Sequence, residues 1–147
     1  MKLDIIVPAY NEEDNIFNFY DAVNEALKGI KHNFIFIDDG SKDKTLQKLK
    51  ELHKKDDENV KIISFSRNFG KEAAMYAGFL YSKADYACII DCDLQQDPAY
   101  LVKMFDFLRE NDQYDAVCMC QKQHKKRFLQ RCFYNIMGTL SNMDIVD

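Results

Sequence analysis

Short apolar segments alternate with segments of helical periodicity along this whole sequence. Strands are predicted at residues 3–7, 34–37, 60–65, 87–90 and 114–120, with Pro8 ending the first of them. A helix is predicted after each strand, the first ending at Gly29. Such alternation favours an α/β fold with a mostly parallel sheet, helices on both faces and right-handed crossovers. The 147 residues, 47% of them hydrophobic, are enough for a single domain spanning residues 1–147.

Composition narrows the class of protein. A formal net charge of −4 argues against a general nucleic-acid binder. No apolar run approaches the roughly 20 residues that span a bilayer, and the chain opens into a strand rather than a signal peptide, so we expect a cytoplasmic location. The five cysteines are odd in number and lack Cys-x-x-Cys spacing. They are therefore predicted to be small buried hydrophobic residues rather than zinc ligands.

Two aspartates follow the fourth predicted strand directly. Because side chains alternate along a strand, Asp91 and Asp93 are expected to point one way and Cys92 the other. The carboxyl end of a parallel strand is where open α/β sheets bind ligands, and paired carboxylates favour Mg²⁺ or Mn²⁺. Gln95 can add a neutral oxygen, which would leave coordination positions for a diphosphate. A solvated turn is the alternative interpretation, and Asp97 is predicted to cap the next helix.

Polar residues also follow the first predicted strand. Asn11 is predicted to be the N-cap of the first helix, with Glu12 and Glu13 in its first turn. Stabilisation of the helix dipole would by itself explain both glutamates. Tyr10 is placed where an aromatic ring can face a nucleobase.

The second predicted strand ends in Asp38 and Asp39. One of them is expected to form the turn, and the other to accept hydrogen bonds from ribose hydroxyls. Ser41 or Asp43 is predicted to cap the following helix, and His53 to be solvated. Polar clusters at successive strand ends meet at one edge of a parallel sheet, which predicts a ligand site there.

Two basic segments complete the candidate site. Residues 66–72 enter a helix with Arg67 and Lys71 nearby, which is typical of an anion site, although Arg67 can equally pair with a surface acid. No dinucleotide-binding or phosphate-loop glycine motif is present. The basic residues of segment 122–131 either lie near a diphosphate, contact an anionic membrane surface or form a solvated helix start.

Four motifs together resemble one known family. Residues 6–12 (Ile-Val-Pro-Ala-Tyr-Asn-Glu), 36–41 (Phe-Ile-Asp-Asp-Gly-Ser), 66–72 (Ser-Arg-Asn-Phe-Gly-Lys-Glu) and 91–98 (Asp-Cys-Asp-Leu-Gln-Gln-Asp-Pro) are similar to the family 2 glycosyltransferases. The resemblance is strongest to the branch of dolichyl-phosphate mannose synthase and bactoprenol glucosyltransferase. It implies the Rossmann-like GT-A fold and extends over essentially the whole chain.

The resemblance implies a reaction and a set of site residues. The reaction is sugar transfer from a nucleoside diphosphate sugar, with a UDP-sugar favoured, to a polyprenyl phosphate without a covalent enzyme intermediate. The metal ligands would be Asp91, Asp93 and Gln95, holding Mg²⁺ or Mn²⁺. The donor-binding residues would be Pro8, Tyr10, Glu12, Ile37, Asp39, Asp91, Cys92 and Asp93.

Two departures from the family pattern limit what can be carried over. Gln121 stands where relatives commonly have an arginine, with Lys122 and Arg127 as candidates to replace it. Relatives continue beyond the position of Asp147 into acceptor-side and membrane-associated segments, so the chain resembles the donor-binding front part of a longer enzyme. The catalytic residue is therefore unknown and expected beyond Asp147. The full-length form is expected at the cytoplasmic face of the membrane, with homo-oligomerisation left open.

Two other hypotheses stay open at this stage. The chain could be a donor-binding module that binds nucleotide and metal without turnover. A weaker hypothesis is a phosphatase with Asp91 as the phosphorylated nucleophile. Such enzymes usually place this aspartate on the first strand, with a threonine soon after it, and neither feature is present here.

Overall fold

The computed structural model describes residues 1–119 of the chain. Contacts divide the chain into the units Met1–Val117 and Cys118–Asp147, and the first unit is described here. Strands and helices alternate along it. They are β1 (Leu3–Ala9), α1 (Ile16–Ala26), β2 (His32–Asp38), α2 (Thr45–Lys55), β3 (Val60–Ser64), α3 (Lys71–Tyr81), β4 (Tyr86–Ile89) and α4 (Ala99–Glu110).

The sheet is parallel, as the alternation predicted. Its four strands lie in the order β3-β2-β1-β4, and every neighbouring pair is parallel. The chain moves outward from β1 to β3 and then returns to the other side of β1 as β4. The strand order therefore reverses between β1 and β4, and open α/β sheets bind ligands outside the carboxyl ends of strands at such a point.

Helices cover both faces of the sheet, which confirms the predicted layering. On one face, α1, α2 and α4 contribute Phe19, Leu49 and Phe105 to a buried core with Phe34 and Phe36 of β2. On the other face, α3 is the one helix of residues 1–119 that packs against the sheet, and its Ala74 meets a smaller cluster of Ile6, Ile35 and Ile37. Within the described residues, no helix is long and apolar enough to cross a membrane.

The prediction that Pro8 ends the first strand is wrong, since β1 continues through Pro8 to Ala9. Alternate residues of a parallel strand bond to opposite neighbours. The Ile6 carbonyl accepts a hydrogen bond from Ile90 on the β4 side, whereas the Ala9 carbonyl accepts one from Asp39 on the β2 side. The backbone of Pro8 therefore faces the β4 side. Because the pairing between β1 and β4 has already ended at Ile6 and Ile89, the missing N–H of Pro8 removes no hydrogen bond between the strands.

The predicted fifth strand does not form in the part of it that the structure describes. Residues 114–119 have no strand partner, and β4 lies at an edge of the described sheet. The alternating pattern of this segment is not matched by burial, because the side chains of Tyr114 and Met119 are exposed. Cys118 is exposed too, which corrects its prediction as a buried residue, whereas Cys92 is buried as expected.

Candidate functional site

The loop after β1 is tied to the loop after β2 by Asn11. Its backbone N–H donates to Ser41 Oγ at 3.0 Å, and its side-chain Oδ1 accepts a hydrogen bond from the Lys42 N–H at 2.9 Å. Asn11 has a φ of 56°, in the left-handed region that asparagine tolerates better than most residues. The prediction of Asn11 as an N-cap is therefore wrong: α1 begins one turn later, with Asn15 in the capping position.

The two glutamates extend this connection rather than stabilising the start of α1, whose first turn has no acidic residue. The Glu12 N–H donates to Thr45 Oγ1 at 2.7 Å, and the Glu12 carboxylate accepts a hydrogen bond from Asn15 at 2.6 Å. The Glu13 carboxylate accepts a hydrogen bond from the Lys44 N–H at 2.9 Å. Both loops are thus held together by reciprocal backbone-to-side-chain bonds.

The Asp43 carboxylate bonds to the first residue of α2, although the N-cap position is Lys44 and not Asp43 as predicted. Asp43 Oδ1 accepts hydrogen bonds from both the N–H and the hydroxyl of Thr45, at 2.9 and 2.6 Å. Burial raises the pKa of Asp43, but these bonds lower it more, so that the net pKa lies below its usual value. His53 is exposed, as predicted, and its Nδ1 also donates a hydrogen bond to the carbonyl of Val60 at 2.7 Å.

Asp38 and Asp39 divide their roles. Asp38 is the turn former: it accepts hydrogen bonds from the Ser41 N–H at 3.1 Å and from the Ser64 hydroxyl at 3.1 Å. Asp39 is buried and binds the next loop, since its two oxygens accept hydrogen bonds from the N–H groups of Phe69 and Gly70 at 2.7 and 2.9 Å.

The loop after β3 is therefore fixed by a carboxylate of the protein itself. In the segment 66–72 that was predicted to be an anion site, the N–H groups of Phe69 and Gly70 already donate to the carboxylate of Asp39. Gly40, with a φ of 66°, lies directly against the backbone of Arg67 and Asn68. The Arg67 guanidinium lies 4.6 Å from the centre of the Phe69 ring, so its described contact is with an aromatic face rather than a surface acid.

Asp91 and Asp93 lie at the carboxyl end of β4, next to the point where the strand order reverses. Lys71 Nζ lies 2.6 and 2.8 Å from the two oxygens of Asp91. Gln96 Nε2 is 3.3 Å from Asp91, whereas Gln95 contributes its backbone N–H to Asp93 at 3.0 Å. The predicted alternation holds for Cys92, which is buried in the core on the α1 side while Asp91 meets the first residue of α3.

The pKa of the Cys92 thiol is raised to about 12, mainly by burial. The negative charges of Glu12, Asp93 and Asp91 raise this pKa further. Glu12 follows β1, and the two aspartates follow β4, so these residues come from the ends of two neighbouring strands at one edge of the parallel sheet.

The donor set at this point fits a hard divalent cation. Asp91 and Asp93 offer carboxylate oxygens, the ligands that Mg²⁺ and Mn²⁺ prefer, and Asp91 already binds the cationic group of Lys71. Among residues 1–119 there is no cluster of three or more His, Cys, Asp or Glu side chains arranged for a metal. Protein ligands beyond the two aspartates would have to be neutral oxygens, which is the role predicted for Gln95.

The other predicted residues lie in different surroundings. Tyr10 is 39% exposed at the end of β1, and Pro8 is half-buried beside it. Ile37 is fully buried against Ala74, so its side chain belongs to the core. The Asp97 carboxylate accepts a hydrogen bond from the Ala99 N–H at 2.9 Å, but the N-cap position of α4 is Pro98, one residue later than predicted. Predictions on residues outside those described include Cys120, Gln121, Lys122, Arg127 and the helix at 128–137.

Sequence reasoning missed two connections of the site. Nothing in the sequence marked Lys71 as the partner of Asp91, because the pair is 20 residues apart. The hydrogen bonds that Asn11 makes to the loop after β2 were also missed. One signal was available: asparagine tolerates the left-handed backbone conformation, so an asparagine shortly after a strand is compatible with a turn residue.

Comparison with known proteins agrees with this geometry. The model of the family described as Glycosyl transferase family 2 matches residues 4–137. An uncharacterized glycosyltransferase of Synechocystis is 35% identical over 99% of this chain and 47% of its own length. A prophage bactoprenol glucosyl transferase homolog of Escherichia coli is 36% identical over 99% of this chain and 49% of its own length. This chain thus spans about half the length of these relatives.

Solved structures support the fold. The mannosyltransferase PcManGT from Pyrobaculum calidifontis, in complex with GDP-Man and Mn²⁺, superposes with a TM-score of 0.67 and 20% identity. The match covers 92% of this chain and 38% of that one. The predicted GT-A fold is confirmed, and these findings give no support to the phosphatase hypothesis.

Proposed function

Because the chain belongs to glycosyl transferase family 2, we propose that its carboxyl edge binds a nucleoside diphosphate sugar together with Mg²⁺ or Mn²⁺. The proposed reaction transfers the sugar, from UDP in preference to other nucleotides, to a polyprenyl phosphate. The observation that carries the proposal is the position of Asp91 and Asp93 at the carboxyl end of β4, beside the point between β1 and β4 where the strand order reverses.

In this proposal, Asp91, Asp93 and Gln95 hold the metal. The metal would neutralise charge on the nucleoside diphosphate as it leaves. The two carboxylates suit this role because they lie at the edge where a ligand can approach, and because Asp91 is only partly covered, with 29% of its side chain exposed. The PcManGT complex, which contains Mn²⁺ and GDP-Man, supports the choice of metal.

The nucleoside end is assigned to the loops after β1 and β2. Tyr10 offers an exposed ring for the base, with Pro8 and Glu12 beside it. Asp39 already accepts two backbone hydrogen bonds, and a carboxylate has about four lone-pair sites, so it retains capacity for a ribose hydroxyl or a base N–H. Because the side chain of Ile37 is buried, a donor contact at this residue would involve its backbone. Cys92 is buried as well, so it would support the site by packing in the core beneath the loop that carries Asp91 and Asp93.

The acceptor assignment rests on the relatives. The match to a bactoprenol glucosyl transferase homolog covers 99% of this chain, which supports a lipid phosphate as acceptor. An acceptor of this kind would bring the whole protein to the cytoplasmic face of a membrane. The catalytic residue and the acceptor contacts are not assigned to residues 1–119.

The proposal is tested by calorimetric titration of UDP in the presence of Mn²⁺. Asp93→Asn should lower the affinity at least tenfold and remove its dependence on Mn²⁺. Asp97→Asn is the matched control, since Asp97 lies in the same loop but caps α4, and it should bind like the wild type. Equal binding by the wild type and Asp93→Asn would remove the metal assignment.

A second candidate is favoured by the coverage of the relatives, of which this chain spans about half. The same site could serve a module that binds nucleotide and metal without transferring the sugar. Incubation of the chain with UDP-glucose and undecaprenyl phosphate decides between them. Formation of the glycolipid would exclude the second candidate, and its absence despite metal-dependent UDP binding would support it.

A further inference from the structure

The ion pair between Lys71 and Asp91 occupies the carboxylate that the proposed metal would bind. The ammonium group contacts both oxygens of Asp91, at 2.6 and 2.8 Å, and Gln96 adds a longer bond at 3.3 Å. Every close contact described for Asp91 is therefore with a hydrogen-bond donor, and one of these donors carries a full positive charge. A cation arriving at Asp91 must replace that charge.

The backbone at the base of Lys71 is held firmly, while its side chain is not. Asp39 fixes the N–H groups of Phe69 and Gly70, and Gly70 leads into α3 with a φ of 98°. Lys71 is the first residue of α3, and its side chain is 52% exposed. Because the lysine stem has four flexible carbons, the ammonium group can leave Asp91 without any movement of the backbone.

Charge balance favours such an exchange. One ammonium group offsets a single negative charge, whereas Asp91 and Asp93, which lie in the same loop, carry two. A divalent cation shared by two aspartates offsets more of this charge than lysine does, and exposed ion pairs are weak enough to be displaced.

We propose that Lys71 is a built-in counter-ion that holds Asp91 when no metal is bound and that a divalent cation displaces. This inference rests on the proposed function of Asp91 and Asp93 as metal ligands. Lys71 then limits the affinity for free metal, and the exchange releases a positively charged side chain at the moment the metal site fills. Removal of Lys71 should therefore strengthen metal binding, whereas loss of a merely structural residue would weaken it or leave it unchanged.

The test measures Mn²⁺ binding to the full chain without nucleotide, from the electron paramagnetic resonance signal of free Mn²⁺. Lys71→Met should bind Mn²⁺ about two- to fivefold more tightly than the wild type, the range expected for releasing one exposed ion pair. Lys71→Arg, which keeps the charge, should stay close to the wild type. Lys42→Met is the matched control, because it removes one positive charge from the neighbouring loop without contacting Asp91, and its change should be smaller than twofold.

The outcomes separate the two proposals. One outcome is that Lys71→Met binds Mn²⁺ as the wild type does, or more weakly, while Asp93→Asn still abolishes binding. This outcome would overturn the role of Lys71 but leave the proposed metal site unaffected. Equal tightening by Lys71→Met and Lys42→Met would also overturn it, since the effect would then be one of net charge. Absence of Mn²⁺ binding in both the wild type and Lys71→Met would overturn both proposals. Thermal unfolding, followed by circular dichroism, verifies that each variant is folded.

Discussion

Replacement of Gly40 by alanine tests how closely the loops of the site approach one another. A Cβ atom at this position would lie 2.6 Å from Arg67 Cα and 2.7 Å from the Asn68 nitrogen. Both are backbone atoms of a loop that Asp39 fixes, so neither can move aside cheaply. The left-handed φ of 66° adds about 1–2 kcal/mol for any residue with a Cβ, and such overpacking typically costs about 1–3 kcal/mol.

Together these effects should lower the free energy of unfolding of Gly40→Ala by about 2–5 kcal/mol. The assay is urea denaturation followed by circular dichroism, in which a loss of this size lowers the midpoint by roughly 1–2.5 M at a denaturant dependence of about 2 kcal/mol per molar. Gly29→Ala is the matched control. Gly29 also has a left-handed φ, of 89°, but nothing lies within 4 Å of an added Cβ, so it should lose only the conformational part, about 1–2 kcal/mol.

Equal losses for Gly40→Ala and Gly29→Ala would show that the close contact between the two loops contributes nothing to the cost of the substitution. If the larger loss is found, UDP binding by Gly40→Ala should weaken as well. The displaced loop leads directly into α3 and Lys71, and so alters the position of the group that contacts Asp91.

Three further predictions concern the packing and titration of other residues. Gly78→Ala should destabilise the fold by about 1–2 kcal/mol, because the added Cβ would overlap the stiff, fully buried side chain of Ile6. Urea denaturation measures the change. A stability gain of about 1 kcal/mol, which is expected where a helix position has free space, would contradict this. With a pKa of about 12, Cys92 should resist iodoacetamide at pH 8 while Cys118 reacts, as read by mass spectrometry of the native protein; equal labelling would show that Cys92 is not buried. Burial raises the pKa of Asp4, but hydrogen bonds to its carboxylate lower it more, so its ionised form should stabilise the fold above about pH 4 and lose this effect as pH falls through the lowered pKa. Asp4→Asn should therefore cost about 1–3 kcal/mol at pH 7 and progressively less in acid, and a pH-independent cost would contradict this.

The alternation of elements and the parallel sheet were predictable because they depend on local periodicity. Side chains alternate along a strand and recur every 3.6 residues along a helix, so the sequence itself indicates which face is buried. The placement of Cys92 in the core and of Asp91 on the opposite side follows from the same rule. The gathering of polar strand ends at one edge follows from the parallel topology alone.

The connections between loops were not predictable in this way. Asn11 is not an N-cap because it bonds to Lys42, and Asp39 binds Phe69 and Gly70 in another loop. Such contacts depend on distances that only the assembled sheet defines. The β-like pattern at residues 114–119 failed for the complementary reason: alternation creates a strand only where a neighbouring strand provides backbone partners.

We propose that the loops after β1, β2 and β4 form one metal-dependent nucleotide site. Titration of UDP, and then of GDP, into the wild-type chain by calorimetry, first with Mn²⁺ and then with EDTA, tests this claim. We expect UDP to bind more tightly than GDP and only with Mn²⁺ present. Failure of both nucleotides to bind in Mn²⁺, or binding that EDTA leaves unchanged, would contradict the claim.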